Sequence, residues 1–260
     1  MGRFWEFVRQ AASADGCLPL THATDLMHFR QIITTSRLEP QECPVYTGEK
    51  LLYFFYGRPS YRPNAKAQTL TARAFLPICL VMDRNILDKM VRIMPFDTGA
   101  FHNKMMHPPM HDDMSLKEFE LEVHSTAPMR LIQMFYDSER KYFDAKARSI
   151  SEITYDEYED LEVDSYLRML HHRANSPADD RVSAIEIQLH TPVDVAGRIL
   201  AAILPKPYLD RPGIRKQIES WGAILIPYHV KEEFVPREAH AAISERLVDY
   251  LEKYGHLRAS

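Results

Sequence analysis

The chain has 260 residues, of which 45% are hydrophobic and 26% are charged. This length and apolar content allow a full core and exclude a disordered segment. The formal net charge of -4 gives no overall attraction to nucleic acid phosphates, so contact with nucleic acid would need a local basic patch. We expect a single domain over residues 1–260.

The cysteines and the distribution of apolar residues indicate the compartment. Cys17, Cys43 and Cys79 form neither a Cys-x-x-Cys pair nor a compact disulfide framework, which fits a reducing environment. No 18 uncharged apolar residues run together, and the first residues lack the pattern of a cleaved export signal. We therefore expect a cytoplasmic protein that does not span a membrane.

The first third of the chain predicts helices and apolar strands. Asp25 is a suitable N-cap for a helix that ends before Pro40 and that turns Leu26, Phe29 and Ile32 inward. The predicted elements are a helix at 3–12, a strand at 18–24, a helix from Asp25 to about Arg37, and strands at 50–56 and 75–82.

In the rest of the chain, helices and strands alternate less regularly. Periodicity does not decide between a strand and a short helix at 116–123. The other predicted elements are helices at 126–145, 212–221 and 236–255, and strands at 182–189, 199–204 and 222–229. Strands joined by irregular stretches as often as by helices predict a mixed, mainly antiparallel α+β fold. Residues 83–180 resemble no known pattern and are expected to be an inserted or family-specific middle region.

Two polar residues stand within apolar strand patterns, His22 in the segment 18–24 and Glu186 in the segment 183–189. A titratable side chain among apolar neighbours costs free energy unless it is paired or lines a ligand pocket. Strand alternation also allows Glu186 to face solvent, and His22 could bond its own strand end. The functional interpretation is that both line one NAD-sized cleft; it fails if the two side chains point to different faces, whereas the α+β fold prediction does not depend on it.

Glycine is scarce, and this limits how a nucleotide could be held. The chain has nine glycines and contains neither G-x-G-x-x-G nor G-x-x-x-x-G-K-[ST]. A bound nucleotide would therefore be held by side chains and strand edges.

The segment Thr21-His-Ala-Thr24 with its Asp25-capped helix resembles the opening of ADP-ribosyltransferase-fold proteins, most closely the DarT-type branch. The aromatic strand at 53–56 with the adjoining segment 57–62, and then the Glu186 strand, follow in the order of that family. The resemblance covers about residues 18–62 and 180–230. It implies a split, mainly antiparallel sheet around an NAD cleft, with flanking helices.

The resemblance also implies a chemistry and a set of roles. Cleavage of the nicotinamide–ribose bond of NAD passes through a ribosyl cation, which a carboxylate stabilises. The implied catalytic residues are Glu186, Arg58 and Arg62, with one arginine binding the pyrophosphate, and the implied NAD-binding residues are His22, Thr24, Tyr53, Tyr56 and Tyr61. His22 would donate a hydrogen bond to ribose, and Tyr56 or Tyr61 would stack on nicotinamide.

The implied enzyme transfers ADP-ribose to a macromolecule, nucleic acid or protein, or to water, and could act as a bacterial toxin or phage-defence effector. Which acceptor is used, whether an activator or antitoxin is needed, and the oligomeric state stay open.

Two other function classes remain. His102, His107 and His111, followed by Asp112 and Asp113, are possible ligands of a metal-dependent hydrolase. Their spacing matches no zinc pattern, so we expect no metal site and interpret this loop, with residues 95–100 before it, as a lid or substrate wall of the cleft. A non-catalytic binding domain of the same fold is the third possibility. The acidic run over 152–164 is predicted to be a solvated face.

Overall fold

The computed structural model describes residues 2–12, 14, 16–60, 72–172 and 180–258. The strands in these ranges are β1 (Leu20–Asp25), β2 (Arg37–Leu38), β3 (Gln41–Glu42), β4 (Lys50–Tyr56), β5 (Pro77–Met82), β6 (Met90–Met94), β7 (Glu186–Leu189), β8 (Val193–Asp194), β9 (Ile199–Pro205) and β10 (Ile224–Tyr228). The α-helices are α1 (Arg3–Val8), α2 (Leu26–Thr35), α3 (Thr98–His102), α4 (Leu116–Phe119), α5 (Ala127–Phe135), α6 (Glu139–Phe143), α7 (Leu161–His171), α8 (Lys206–Leu209), α9 (Pro212–Ser220) and α10 (Pro236–Lys253). Short 3₁₀ helices cover Arg73–Phe75, Arg84–Lys89, Ile150–Glu152 and Asp180–Val182.

Most of the strands form one mainly antiparallel sheet. Its order is β10-β9-β5-β1-β4-β7-β6, and β3 pairs with β4 beside this path. The β9–β10 pair is parallel, whereas the ladders that join β5, β1, β4, β7 and β6 are antiparallel. The strands β2 and β8 form a separate two-stranded sheet. This sheet with its flanking helices confirms the predicted α+β class.

The sheet opens on one side of β1. Toward β5, pairing runs the whole length of β1. Toward β4, the ladder holds two pairs, Leu20 with Tyr56 and Thr21 with Phe55, and the strands then separate. The opening therefore lies beside His22. Since β4 pairs with β7 along its other edge, β1, β4 and β7 are consecutive neighbours.

Helix α2 begins where the sequence predicts it. The Asp25 side chain accepts a hydrogen bond from the backbone nitrogen of His28 at 2.9 Å, which satisfies one of the free N–H groups of the first turn. Phe29 and Ile32 are buried. Ser36, with a left-handed φ of 55°, ends the helix. The cap and the apolar stripe thus fix α2 against the end of β1.

Helix α10 covers the other end of the sheet, where it packs against β5, β9 and β10. Its inward residues Ile243, Leu247 and Leu251 are buried, as the periodicity predicts. Among the helices in the described ranges, none combines the length and the apolar composition needed to cross a bilayer.

The middle region shares a core with the start of the chain. Helix α1 packs against α4, α5 and α7. The ring of Phe4 stacks on Phe135 with centroids 5.8 Å apart, and it contacts Phe119 at 5.4 Å and Tyr166 at 5.1 Å. Since Phe4 has no solvent exposure, this aromatic cluster joins residues far apart in the sequence.

Two patterns in the middle region were misinterpreted. The predicted single helix at 126–145 is wrong, because the chain forms α5 and α6 with Asp137 between them at a φ of 73°. The acidic run at 152–164 is only partly a solvated face, since it includes the start of α7, where Val163 is buried. The undecided segment 116–123 begins with the short helix α4.

Phe4→Ala should destabilise the protein by about 3–5 kcal/mol, because it leaves a cavity in the aromatic cluster. Urea unfolding followed by circular dichroism would measure this loss. The exposed ring of Tyr158 provides the control, and Tyr158→Ala should change stability by less than about 0.5 kcal/mol. Equal, small effects of both substitutions would contradict a core shared by α1 and the middle region.

Candidate functional site

Glu186 is the first residue of β7, and its side chain has no solvent exposure. It lies opposite Phe55 of β4 and Met94 of β6. Directly paired residues of antiparallel strands share a face, so Glu186 projects from the sheet face that also carries Phe55 and Thr21. The alternative in which Glu186 faces solvent is therefore wrong.

Within the described ranges, three hydrogen bonds hold the Glu186 carboxyl group. Thr98 supplies two of them, from Oγ1 to Oε1 at 2.7 Å and from its backbone N–H to Oε2 at 3.1 Å. Nε2 of Gln188 donates to Oε1 at 2.6 Å. The Asp97 side chain caps α3 by accepting from the backbone nitrogen of Ala100 at 2.8 Å, which fixes Thr98 as the first residue of that helix.

Burial of the carboxyl raises the pKa of Glu186 to about 8, and the nearby Asp97 carboxylate acts in the same direction. The hydrogen bonds from Gln188 and Thr98 oppose this rise without cancelling it. Asp97 is itself buried and accepts from Ser60 Oγ at 2.9 Å. Glu186 is therefore protonated at pH 7 and ionises in mildly alkaline solution.

His22 lies in the opening between β1 and β4. Its Nδ1 is 2.9 Å from the carbonyl oxygen of Tyr53, and Nδ1 must carry the hydrogen because a carbonyl only accepts. Burial lowers the pKa of His22, so the ring is neutral and Nε2 is an acceptor. The predicted donor role of His22 is corrected: toward a ribose hydroxyl this ring offers an acceptor.

The strand register places His22 and Glu186 on opposite faces. Thr21 pairs with Phe55, which pairs with Glu186, so these three residues share a face. Side chains alternate along a strand, and His22 therefore points to the other face, where its ring lies 5.6 Å from that of Phe54. The prediction that His22 and Glu186 face each other across one cleft is wrong.

Arg58 follows the turn at the end of β4. Gly57 makes that turn with a φ of 68°, a conformation that favours glycine. The buried guanidinium of Arg58 then donates from Nη1 to Ser183 Oγ at 2.8 Å and to the carbonyl of Tyr142 at 3.2 Å. Arg58 is thus held against the segment that leads into β7 and Glu186.

The two tyrosines of β4 have different environments. Tyr53 is half-buried, pairs with Gln188 and shares the face of Glu186. Tyr56 is 1% exposed, and its hydroxyl donates to Glu139 Oε1 at 2.8 Å. Tyr56 follows Phe55 in β4, so its side chain points to the face opposite Glu186, and its predicted stacking on nicotinamide beside Glu186 is corrected.

Three predicted site residues remain, which are Thr24, Tyr61 and Arg62. Thr24 pairs with Ile78 of β5 and, two residues beyond His22, lies on the face of His22. Tyr61 and Arg62 lie outside the described residues, and the roles assigned to them stay predictions.

Sequence reasoning assigned no individual role to five side chains that lie around Glu186 in the described ranges, which are Asp97, Thr98, Gln188, Arg92 and Tyr46. Gln188 could have been found, because it is two residues from Glu186 in the same strand. Arg92 of β6 donates to Gln188 Oε1 at 2.5 Å and lies 3.8 Å above the ring centroid of Tyr46. Nothing in the local pattern of Arg92 or Tyr46 places them here, because the sheet order brings them together.

In the histidine-rich loop after α3, His107 and His111 lie near carboxyl groups of the same loop. His107 Nε2 is 3.7 Å from Asp112 Oδ1, and His111 Nδ1 is 3.8 Å from Asp113 Oδ2, while His102 is exposed at the end of α3. Across the described ranges, which contain this whole loop, no three histidine, cysteine, aspartate or glutamate side chains are grouped to hold a metal ion.

A polar cavity of about 510 Å³ lies elsewhere in the fold. Glu186, His22 and Arg58 do not line it, so it is not the predicted cleft. Its lining residues are Cys17, Pro19, Asp83, Arg84, Asn85, Leu87, Asp88, Ser125, Leu200 and His256.

Glu186→Gln should change how stability depends on pH. Folding raises the pKa of Glu186, so the stability contributed by its protonated carboxyl is fully present below about pH 4.3 and is lost as the pH rises through about 8. Glutamine does not titrate, so the variant should gain about 4 kcal/mol relative to wild type between pH 5 and pH 8.5.

Urea unfolding at several pH values would measure this trend, and the exposed Glu157→Gln should follow wild type throughout. Glu186→Gln should also lower the free energy of unfolding by the same amount at every pH, because the new NH₂ group cannot accept from Thr98 N–H. A difference that does not vary with pH would contradict the raised pKa.

The sequence matches no protein-family model and no curated protein. The candidate site is therefore defined by its own side chains: a buried glutamate in β7, held by Thr98 and Gln188, beside a sheet that opens between β1 and β4.

Proposed function

We propose that this protein is an NAD-consuming enzyme of ADP-ribosyltransferase-like fold that cleaves the nicotinamide–ribose bond, with Glu186 as the catalytic carboxylate. The observation that carries this proposal is the adjacency of β1, β4 and β7. These strands hold the three segments that resemble the family, and they are neighbours although the last is far from the others in sequence. The separation of β1 from β4 is consistent with a split sheet.

The carboxyl group suits this reaction once it is ionised. A ribosyl cation is stabilised by a fixed negative charge, and that stabilisation is stronger in a site shielded from water. The nicotinamide ring of NAD carries a positive charge, and an opposite charge nearby favours the ionised carboxylate. The hydrogen bonds from Thr98 and Gln188 would then hold Glu186 in one orientation during bond cleavage.

The contribution of other residues to NAD binding depends on which face of the sheet their side chains occupy. Tyr53 shares the face of Glu186 and is the aromatic side chain of β4 best placed to contact nicotinamide. Arg58 reaches the start of β7, and its buried guanidinium would have to leave Ser183 and the Tyr142 carbonyl to bind the pyrophosphate. The register places His22 and Thr24 on the face opposite Glu186, so the proposal assigns them no contact with NAD and depends on Glu186.

NAD must reach a carboxyl group that has no solvent exposure. The loop of residues 43–49, between β3 and β4, places Tyr46 against Arg92 on this side of the sheet. Displacement of this loop would open the face of Glu186, and lids of this kind commonly close active sites.

The ADP-ribose acceptor is a macromolecule, nucleic acid or protein, or water. These reactions share the cleavage step and differ in what attacks the ribosyl carbon. The resemblance to DarT-type proteins favours a toxin or phage-defence role in the cytoplasm.

A second candidate is a non-catalytic domain of the same fold. The complete burial and hydrogen bonding of Glu186 favour it, because a neutral, satisfied carboxyl is also stable as part of a core. Turnover measurements separate the two candidates.

Purified protein incubated with NAD should release nicotinamide, and Glu186→Gln should reduce the rate at least about 100-fold, since it removes the stabilising charge. Chromatography of nicotinamide would measure release, with DNA, RNA and protein tested as acceptors and with chelator present in a parallel set. Chelator should have no effect.

Glu157→Gln is the matched control, because it removes an exposed carboxyl from the acidic run and should leave the rate unchanged. Equal turnover in wild type and Glu186→Gln would overturn the assignment of Glu186. No turnover under any acceptor condition would favour the non-catalytic domain.

The rate should rise with pH. Because the unliganded Glu186 ionises near pH 8, kcat/KM should increase about tenfold per pH unit below that value and level off above it. Initial rates from pH 5.5 to 9.5 would give the profile. A plateau that begins near pH 5 would show that an ordinary carboxyl carries the reaction.

A further inference from the structure

A line of polar side chains joins the Glu186 carboxyl to the edge of the site. Gln188 Nε2 donates to Glu186 Oε1 at 2.6 Å, and Gln188 Oε1 accepts from Arg92 Nη1 at 2.5 Å. Arg92 also donates from Nη2 to Glu49 Oε1 at 3.2 Å and to Glu49 Oε2 at 3.3 Å. Glu49 Oε2 in turn is 3.0 Å from Nε2 of His190.

The guanidinium determines which way the Gln188 amide points. Gln188 is fully buried, and its amide carries donors at one end and an acceptor at the other. Arg92 can only donate, so the amide oxygen must face it. The NH₂ group is then directed at Glu186.

The position of Arg92 is itself fixed. Its side chain is 15% exposed, its guanidinium lies 3.8 Å above the ring centroid of Tyr46, and Glu49 holds the outer edge. A planar group held by an aromatic face and two acceptors has little freedom to rotate. The direction of the Gln188 amide is therefore determined by contacts outside Glu186.

We propose that Arg92 is a positioning residue for Glu186 that acts through Gln188, because it keeps an amide N–H, and not an amide oxygen, against the carboxyl group. The kinetic consequence rests on the proposed NAD-cleaving function, whereas the effect on the carboxyl does not.

The direction of the amide affects the protonation of Glu186. An N–H donor stabilises the ionised carboxylate, whereas an amide oxygen would accept a hydrogen bond from the protonated carboxyl and stabilise that form. Without Arg92, Gln188 can present its oxygen, and the carboxyl should then ionise at higher pH. The charged or titratable groups around the line are Asp97 before α3, Tyr46 and Glu49 in the loop, Arg92 in β6 and His190 after β7.

The test compares Arg92→Met with Arg92→Lys, alone and in a Gln188→Leu background. The ionisation of Glu186 would be followed by difference infrared spectroscopy of its carboxyl band, assigned with Glu186→Gln, and by the pH profile of kcat/KM. Arg92→Met should move both midpoints upward by at least about half a pH unit, while Arg92→Lys, which still donates to the amide oxygen, should restore most of the shift.

The double variant shows whether Arg92 acts through Gln188. In the Gln188→Leu background, Arg92→Met should add less than a fifth of the shift that it produces alone. His190→Ala is the control, because it removes the far end of the line without touching the amide. The midpoint of His190→Ala should stay close to that of wild type and shift by less than half as much as that of Arg92→Met.

Equal shifts by Arg92→Met with and without Gln188 would overturn the proposal, as would an unchanged midpoint in Arg92→Met. If wild type lacks NAD turnover while the infrared midpoint moves as expected, the proposed function fails and the positioning role stands. Circular dichroism of each variant would identify one that does not fold, and if Arg92→Met does not fold, Arg92→Leu replaces it because leucine also has no side-chain donor.

Discussion

The enclosure of the Glu186 carboxyl within the sheet is the interaction on which the surrounding structure depends. A buried carboxyl costs several kcal/mol unless it is neutral or hydrogen-bonded, and here both conditions are met. Thr98 belongs to the middle region, which resembles no known pattern, yet it supplies two of the hydrogen bonds that the described residues make to Glu186. Through Thr98, the middle region contributes to the site as well as to the core.

Patterns set by neighbouring residues were predictable from the sequence. The Asp25 cap, the inward stripe of α10 and the strands β4, β5 and β9 follow from local chemistry and periodicity, and the structure confirms them. Pairings between distant segments were not predictable in the same way. No local pattern indicates that Arg92 lies beside Gln188, because that contact results from the order of strands in the sheet.

The sequence also could not predict which face of the sheet a polar residue occupies. Alternation showed that His22 and Glu186 each occupy an apolar strand, but the relative register of β1, β4 and β7 decides which face each side chain takes. That register separates the two residues and leaves His22 in the opening, bonded to the Tyr53 carbonyl. The site consequently centres on Glu186, with Gln188 and Tyr53 on the same face.

The most direct measurement is a crystal structure of the protein with a non-hydrolysable NAD analogue. The nicotinamide ribose should lie within hydrogen-bonding distance of the Glu186 carboxyl, with the loop 43–49 displaced from its contact with Arg92. An analogue bound only in the polar cavity lined by Cys17 and His256, with Glu186 still enclosed, would contradict the assignment of Glu186 as the catalytic residue.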